Sequence, residues 1–203
     1  MNHDIAYEFF YWGPFLWRTK LPQDLIDEIL AKGLKNNIPA NNVLASDIDN
    51  AKSFNQTDLD WLNVSLSRYF NLYKDLLKTY TGTFDHARVK DIKLSHAWVN
   101  FQKQYESNPE HIHDSDFSFV VYLKVPESLK QEHDQFRGTG AGPGGITFRY
   151  GEEMPNVTTR QMFFPEVGDM YVFQGSLAHW VTPFKSENER VSLAGNIILV
   201  YNN

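Results

Sequence analysis

At 203 residues, with 42% hydrophobic and 22% charged residues, the chain has the make-up of one globular domain with a substantial core. A net charge of -6 argues against a broad basic face for duplex nucleic acid. With no cysteine, disulfides and thiolate metal sites are excluded, so any metal must be held by His, Asp or Glu. No run has the length of a membrane span and Met1–Phe10 lacks an apolar signal core, so a cytoplasmic location is expected.

Leu21-Pro22-Gln23-Asp24 predicts a helix start, followed by Leu25, Ile26, Ile29, Leu30 and Leu34 at helical spacing. A longer helix is expected from about Thr57. Leu59, Leu62, Leu66, Tyr69, Phe70, Tyr73, Leu76, Leu77 and Tyr80 form one stripe, and Gly82 is the stop. From Val89 onward the pattern turns to strands: 90–104, 116–125, 146–150, 161–164, 169–173, 178–183 and 190–201. The expectation is a mainly β, α+β single domain over 1–203. It would have an N-terminal helical layer (1–86) packed on a double-stranded β-helix, a cupin-like jelly roll, over 87–203. The stretch Gly138–Gly145 reads as a loop, either a lid over a pocket or a plain solvent loop.

His111-Ile112-His113 puts two imidazoles on one face of an extended segment. His179, in a distant strand-like segment, can supply a third metal ligand. A carboxylate would be usual at position 113, so two ligand sets stay open. One is His111, His113 and His179. The other brings in Asp114 or Asp116 for one histidine, although strand alternation aims Asp114 away from the face of His113. His3, His86, His96 and His133 are read as surface or hydrogen-bonded residues.

Arg190 and Ser192 share a face of the last strand and would bind a carboxylate, with residues 185–188 as the turn of a hairpin from His179. Asn100 shares a face with Gln102 and Trp98, placing a cosubstrate donor beside two pocket residues; Tyr122 is a further pocket candidate. The strand edge after Tyr201 would be open to pairing in a homodimer.

From Ala97 on, these motifs resemble the 2-oxoglutarate and Fe(II)-dependent oxygenases. The Asn108-Pro109-Glu110-His111-Ile112-His113 run and the strand Phe117–Leu123 are similar to a group common in marine bacteriophages and bacteria. Gly144-Gly145 before a strand resembles prolyl-hydroxylase-like members, and Phe164–Phe173, His179 and Arg190-Val191-Ser192 resemble the closing half of the same domain. The resemblance implies Fe(II), 2-oxoglutarate and O2. It also implies decarboxylation of 2-oxoglutarate to succinate and CO2, coupled to hydroxylation of a small-molecule or peptide substrate. His111 and His179 would be ligands and Arg190, helped by Ser192, would hold the far carboxylate. Two other readings compete. One is a three-histidine, cupin-like metalloenzyme without 2-oxoglutarate. The other is a non-catalytic β-sandwich, such as a virion or binding module.

Overall fold

The computed structural model describes residues 13–41, 44–81 and 88–202. Along the chain come β1 (Trp17–Lys20), α1 (Gln23–Lys35), β2 (Ile38–Pro39), β3 (Ala51–Ser53) and α2 (Gln56–Thr81). Then follow β4 (Val89–Gln102), β5 (Asn108–His111), β6 (Phe117–Lys124), α3 (Glu127–Asp134), β7 (Ile146–Arg149) and β8 (Arg160–Phe163). The chain closes with β9 (Asp169–Gln174), β10 (Ala178–Val181) and β11 (Arg190–Tyr201). The strands make a seven-stranded sheet, β1-β9-β6-β11-β4-β3-β2, and a four-stranded sheet, β5-β10-β7-β8. All pairings within both are antiparallel. The architecture is the double-stranded β-helix expected from the strand pattern.

The helices form where the apolar spacing predicts them. Ile26 and Ile29 of α1 are buried, and Leu34, expected on the same stripe, is exposed. Gly33 lets α1 lie close to the sheet, because a Cβ there would sit 2.7 Å from Cγ2 of Val99. The side-chain oxygen of Asn55 accepts the N–H of Asp58, which satisfies one of the free donors at the start of α2. Leu62, Leu66, Phe70, Tyr73 and Leu77 then bury against the large sheet. Leu76 and Tyr80 fall off that stripe and are exposed, although the Tyr80 ring still lies 5.1 Å from Phe15. The stop expected at Gly82, and His3 and His86, lie outside the described residues.

Strand alternation on the large sheet makes two cores. Phe117, Phe119, Val121 and Leu123 of β6 join Met170 and Val172 of β9 under the helices. Tyr122, Tyr171 and Phe173 point the other way and meet Ile146, Phe148 and Val181 of the small sheet. The candidate site lies in this second, inter-sheet space.

Several expectations need correction. The N-terminal part contributes more than helices: β1 adds to one edge of the large sheet and β3 with β2 to the other. β10 and β11 are not a hairpin. β10 pairs with β5 and β7, whereas β11 pairs with β4 and β6, so the segment between them crosses from one sheet to the other. β11 is therefore not an edge for dimerisation, because strands flank it on both sides. Helix α3 was not expected. Its Glu132 carboxylate accepts the N–H groups of Lys185 and Ser186 and so pins the crossing segment.

The second half of the glycine loop is tied to the fold by hydrogen bonds. His133 bonds the Pro143 carbonyl, Thr182 bonds the carbonyls of Gly142 and Gly145, and Arg190 bonds that of Gly144. Gly144 has φ +68°, and a Cβ there would press on Leu129 of α3 at 2.9 Å.

Candidate active site

Three imidazoles meet at the mouth of the inter-sheet space. His111 ends β5 and lies directly opposite His179 on β10. His113 lies just past β5, held by its N–H to the carbonyl of Gly175 at 2.8 Å. One potential ligand nitrogen from each of the three lies within 4.8 Å of the others. Nε2 of His113 and Nε2 of His179 are 3.3 Å apart.

The nitrogens facing away have partners. Nδ1 of His111 bonds the Pro109 carbonyl at 2.7 Å, and Nδ1 of His179 bonds the Leu177 carbonyl at 2.9 Å. A carbonyl can only accept, so each Nδ1 carries the proton and each Nε2 keeps a lone pair. Burial, with the His111 ring adding repulsion, lowers the His113 pKa to about 4 and that of His179 to about 3. Burial also lowers that of His111, against the Pro109 hydrogen bond. Three neutral imidazoles with converging lone pairs fit a divalent first-row metal ion.

Asp114 and Asp116 are exposed and stand outside this cluster. Asp116 instead accepts the N–H of Leu199 at 2.7 Å.

Arg190 lies deeper, on the opposite sheet, and is 2% exposed. Its guanidinium donates to the carbonyl of Gly144 at 2.8 Å and to Oε1 of Gln102. Its Nε has no partner, and among the described residues no carboxylate pairs with it. Burial pulls its pKa down, and the Tyr122 ring lies 5.2 Å from its charge. A buried cation without an anion is costly, which makes this end of the space a site for an anionic ligand.

The polar groups around Arg190 are also unfilled. Ser192 lies opposite both Asn100 and Tyr122 in the strand register. Oδ1 of Asn100 and the hydroxyl of Tyr122 are buried without partners. Burial raises the Tyr122 pKa to about 12, so its hydroxyl stays a donor. Trp98 walls the space beside His113, with ring centres 6.0 Å apart. Of the residues picked from sequence, His111, His113, His179, Arg190, Ser192, Asn100, Trp98 and Tyr122 all line one cavity. Gln102 does not; it braces Arg190 from behind.

Sequence reasoning missed Asn108, which lines the same cavity and has a buried, unpartnered Oδ1. The signal was present, since Asn108 opens the segment that carries both histidines. His96, read as a surface residue, is exposed, and it borders an outer groove next to the histidines.

Known proteins agree with this geometry. A family model described as "Putative 2OG-Fe(II) oxygenase" matches residues 96–196, about half of the chain. No curated protein matches. Among solved structures, the chain is similar to a 2OG-Fe(II) oxygenase family oxidoreductase from Burkholderia pseudomallei, with 15% identity, TM-score 0.57, and 89% of this chain and 84% of that one covered. It is similar to a Pseudomonas putida prolyl-4-hydroxylase, with 13% identity, TM-score 0.55, and 93% and 92% covered. It also resembles the viral collagen prolyl hydroxylase of Paramecium Bursaria Chlorella virus-1, solved with 2-oxoglutarate, with 15% identity, TM-score 0.55, and 91% and 96% covered. At these identities the structures speak for a shared fold. With the family model and the three-histidine cluster beside them, the chain belongs to the 2-oxoglutarate- and Fe(II)-dependent oxygenases.

Proposed function

We propose that the protein is a hydroxylase in which His111, His113 and His179 hold Fe(II) and Arg190 holds the far carboxylate of 2-oxoglutarate. The observation that carries this reading is Arg190: a buried cation, unpaired, on the sheet facing the three imidazoles. Its planar fork can pair with a carboxylate in a bidentate way. The Tyr122 hydroxyl and Ser192 can donate to the same group, and Asn100 borders it.

The net reaction takes substrate, 2-oxoglutarate and O2 to hydroxylated substrate, succinate and CO2. When bound, the iron would supply the redox contact with dioxygen, and 2-oxoglutarate the remaining two electrons as it is decarboxylated. The chain's own residues do the rest. The three imidazoles would hold the metal through their Nε2 lone pairs. Arg190 fixes the cosubstrate at its far end, and Phe173, Ile146 and Val181 keep the space apolar between the two. The substrate is a small molecule or a peptide, in keeping with the prolyl hydroxylases among the fold relatives.

The test is to load the protein with Fe(II), supply 2-oxoglutarate and O2, and measure succinate. Slow succinate formation without added substrate is expected. Arg190→Ala should abolish it and abolish 2-oxoglutarate binding while Mn(II) still binds. Metal binding with no succinate, and no effect of Arg190→Ala, would favour a three-histidine metalloenzyme without this cosubstrate.

A further inference from the structure

Outside the three imidazoles runs a second cavity, a groove of about 590 Å3. Its inner end shares Trp98, Asn108, His111 and His113 with the cavity that reaches Arg190. The segment before β3 and the start of α2 make its outer wall, through Leu44, Ser46 and Gln56. A molecule lying in it would reach the open side of the metal without crossing the cosubstrate, so the groove is the substrate's place on the reading proposed above.

The lining has a chemical bias. Among the described residues no Asp, Glu, Lys or Arg contributes to it, although 22% of the chain is charged. The exposed charged residues next to lining positions in the chain are acidic, Asp47, Asp60, Glu110 and Asp114, while the half-buried Lys52 beside Ser53 donates to the Leu34 carbonyl. Apart from the metal, the described lining thus carries no Lys or Arg to pair with an anionic substrate. A phosphate or carboxylate in the groove would lose its hydration with nothing to replace it and would enter past negative charge.

What the groove offers instead is hydrogen bonding. Oδ1 of Asn108, at the junction of the two cavities, is buried with no partner. The Ser46 hydroxyl oxygen, beside Asn108 across the antiparallel bridge of Asp47 with Ser107, is also buried with no partner. Asn108 Oδ1 can only accept, so its complement is an N–H or O–H of the ligand. Leaving a buried acceptor unmatched costs enough to discriminate between ligands that do and do not carry that donor.

We infer that the substrate is uncharged in the portion this groove takes up and presents a hydrogen-bond donor to Asn108, which sets specificity at the inner end. Nucleotides and other small anions are thereby poor substrates, whereas neutral amide- or hydroxyl-bearing molecules fit.

The probes are N-acetylalanine methylamide and N-acetylalanine, close in size and differing in one terminal charge. With the protein loaded with Mn(II) and 2-oxoglutarate, the metal's paramagnetic relaxation of each probe's protons is measured by NMR. The expected result is at least fivefold stronger relaxation of the amide than of the acid. Asn108→Leu should remove most of that difference while the relaxation of 2-oxoglutarate protons stays unchanged. Asn108→Asp, nearly the same shape, checks that the variants fold and should keep the amide's preference. Equal relaxation of both probes, stronger relaxation of the acid, or none of either while 2-oxoglutarate is relaxed would overturn the inference. Loss of relaxation for 2-oxoglutarate itself would instead overturn the cosubstrate reading, and this inference would fall with it.

Discussion

Gln102 and Arg190 face each other across β4 and β11, and the Gln102 side chain is clamped from both sides. Its carbonyl accepts from the Arg190 guanidinium, and its amide donates to the backbone carbonyl of Glu106. A neutral brace of this kind fixes the direction of the guanidinium without consuming its charge.

Gln102→Glu tests that point. A carboxylate there would pair with Arg190 and compete with the cosubstrate. The affinity for 2-oxoglutarate should fall at least tenfold, at a cost of about 1.4 kcal/mol or more, with Mn(II) affinity unchanged. Calorimetric titration of the Mn(II)-loaded variant measures both. Unaltered cosubstrate affinity would show that the charge of Arg190 is not its anchor.

The metal site makes a prediction about ligands. His113→Ala should weaken Mn(II) or Fe(II) binding at least tenfold, on the order of 1.4 kcal/mol. Asp114→Asn should leave it unchanged, because that side chain lies outside the cluster. A large loss of metal affinity in Asp114→Asn alone would restore the carboxylate ligand set.

The low imidazole pKa values give a pH dependence with a definite sign. The folded, metal-free protein keeps His179 neutral down to about pH 3 and His113 down to about pH 4, whereas the unfolded chain protonates them near 6.5. Between those limits the unfolded state binds more protons, so these two groups favour folding above pH 6.5 and lose that contribution as the pH falls through the window. Urea unfolding of the metal-free protein should thus show a falling midpoint from pH 7 to pH 4. His179→Gln should flatten that slope. For the same reason, Mn(II) affinity should change little between pH 7 and pH 5, since few protons need to leave.

Gly144 links the loop to the cosubstrate end. Gly144→Ala would place a Cβ at φ +68° and 2.9 Å from Leu129, and its carbonyl is the one Arg190 bonds. A stability loss of about 1–3 kcal/mol is expected from strain and overpacking, together with weaker 2-oxoglutarate binding. Gly140→Ala, with nothing within 4 Å of the added carbon, should do neither. Thermal unfolding and cosubstrate titration of the two variants decide it.

The long strands and the main helices were legible because each carries enough residues to show a period. Alternation in β4 alone put Trp98, Asn100 and Gln102 on one face, and the register bears that placement out. The strands β1, β2 and β3 have two to four residues each, too few for a period, and each lies along a longer neighbour; β5 carries Pro109 among charged or polar residues and pairs with the equally short β10. Helix α3 has one buried apolar residue, Leu129, so no stripe announces it. The relation of His179 to Arg190 was misread for a similar reason. Eleven residues apart, they fit a hairpin equally well, and only the strand pairing shows that the chain changes sheets between them, with Glu132 of α3 holding the crossing segment at Lys185 and Ser186. Asn108 was passed over although it opens the segment that carries both histidines, because its empty acceptor is a property of packing, which one sequence does not display.

The central position of β11 has a bearing on how the molecule comes together. Its ladder partners on β4 and β6 lie far back in the chain, yet neither of those strands pairs with the other. Collapse can gather the helices early, but the two halves of the large sheet have no direct seam until residues 190–201 slot between them. The strand bearing Arg190 and Ser192 is thus a keystone in assembly, and a chain that has not completed its sheet cannot yet hold a cosubstrate.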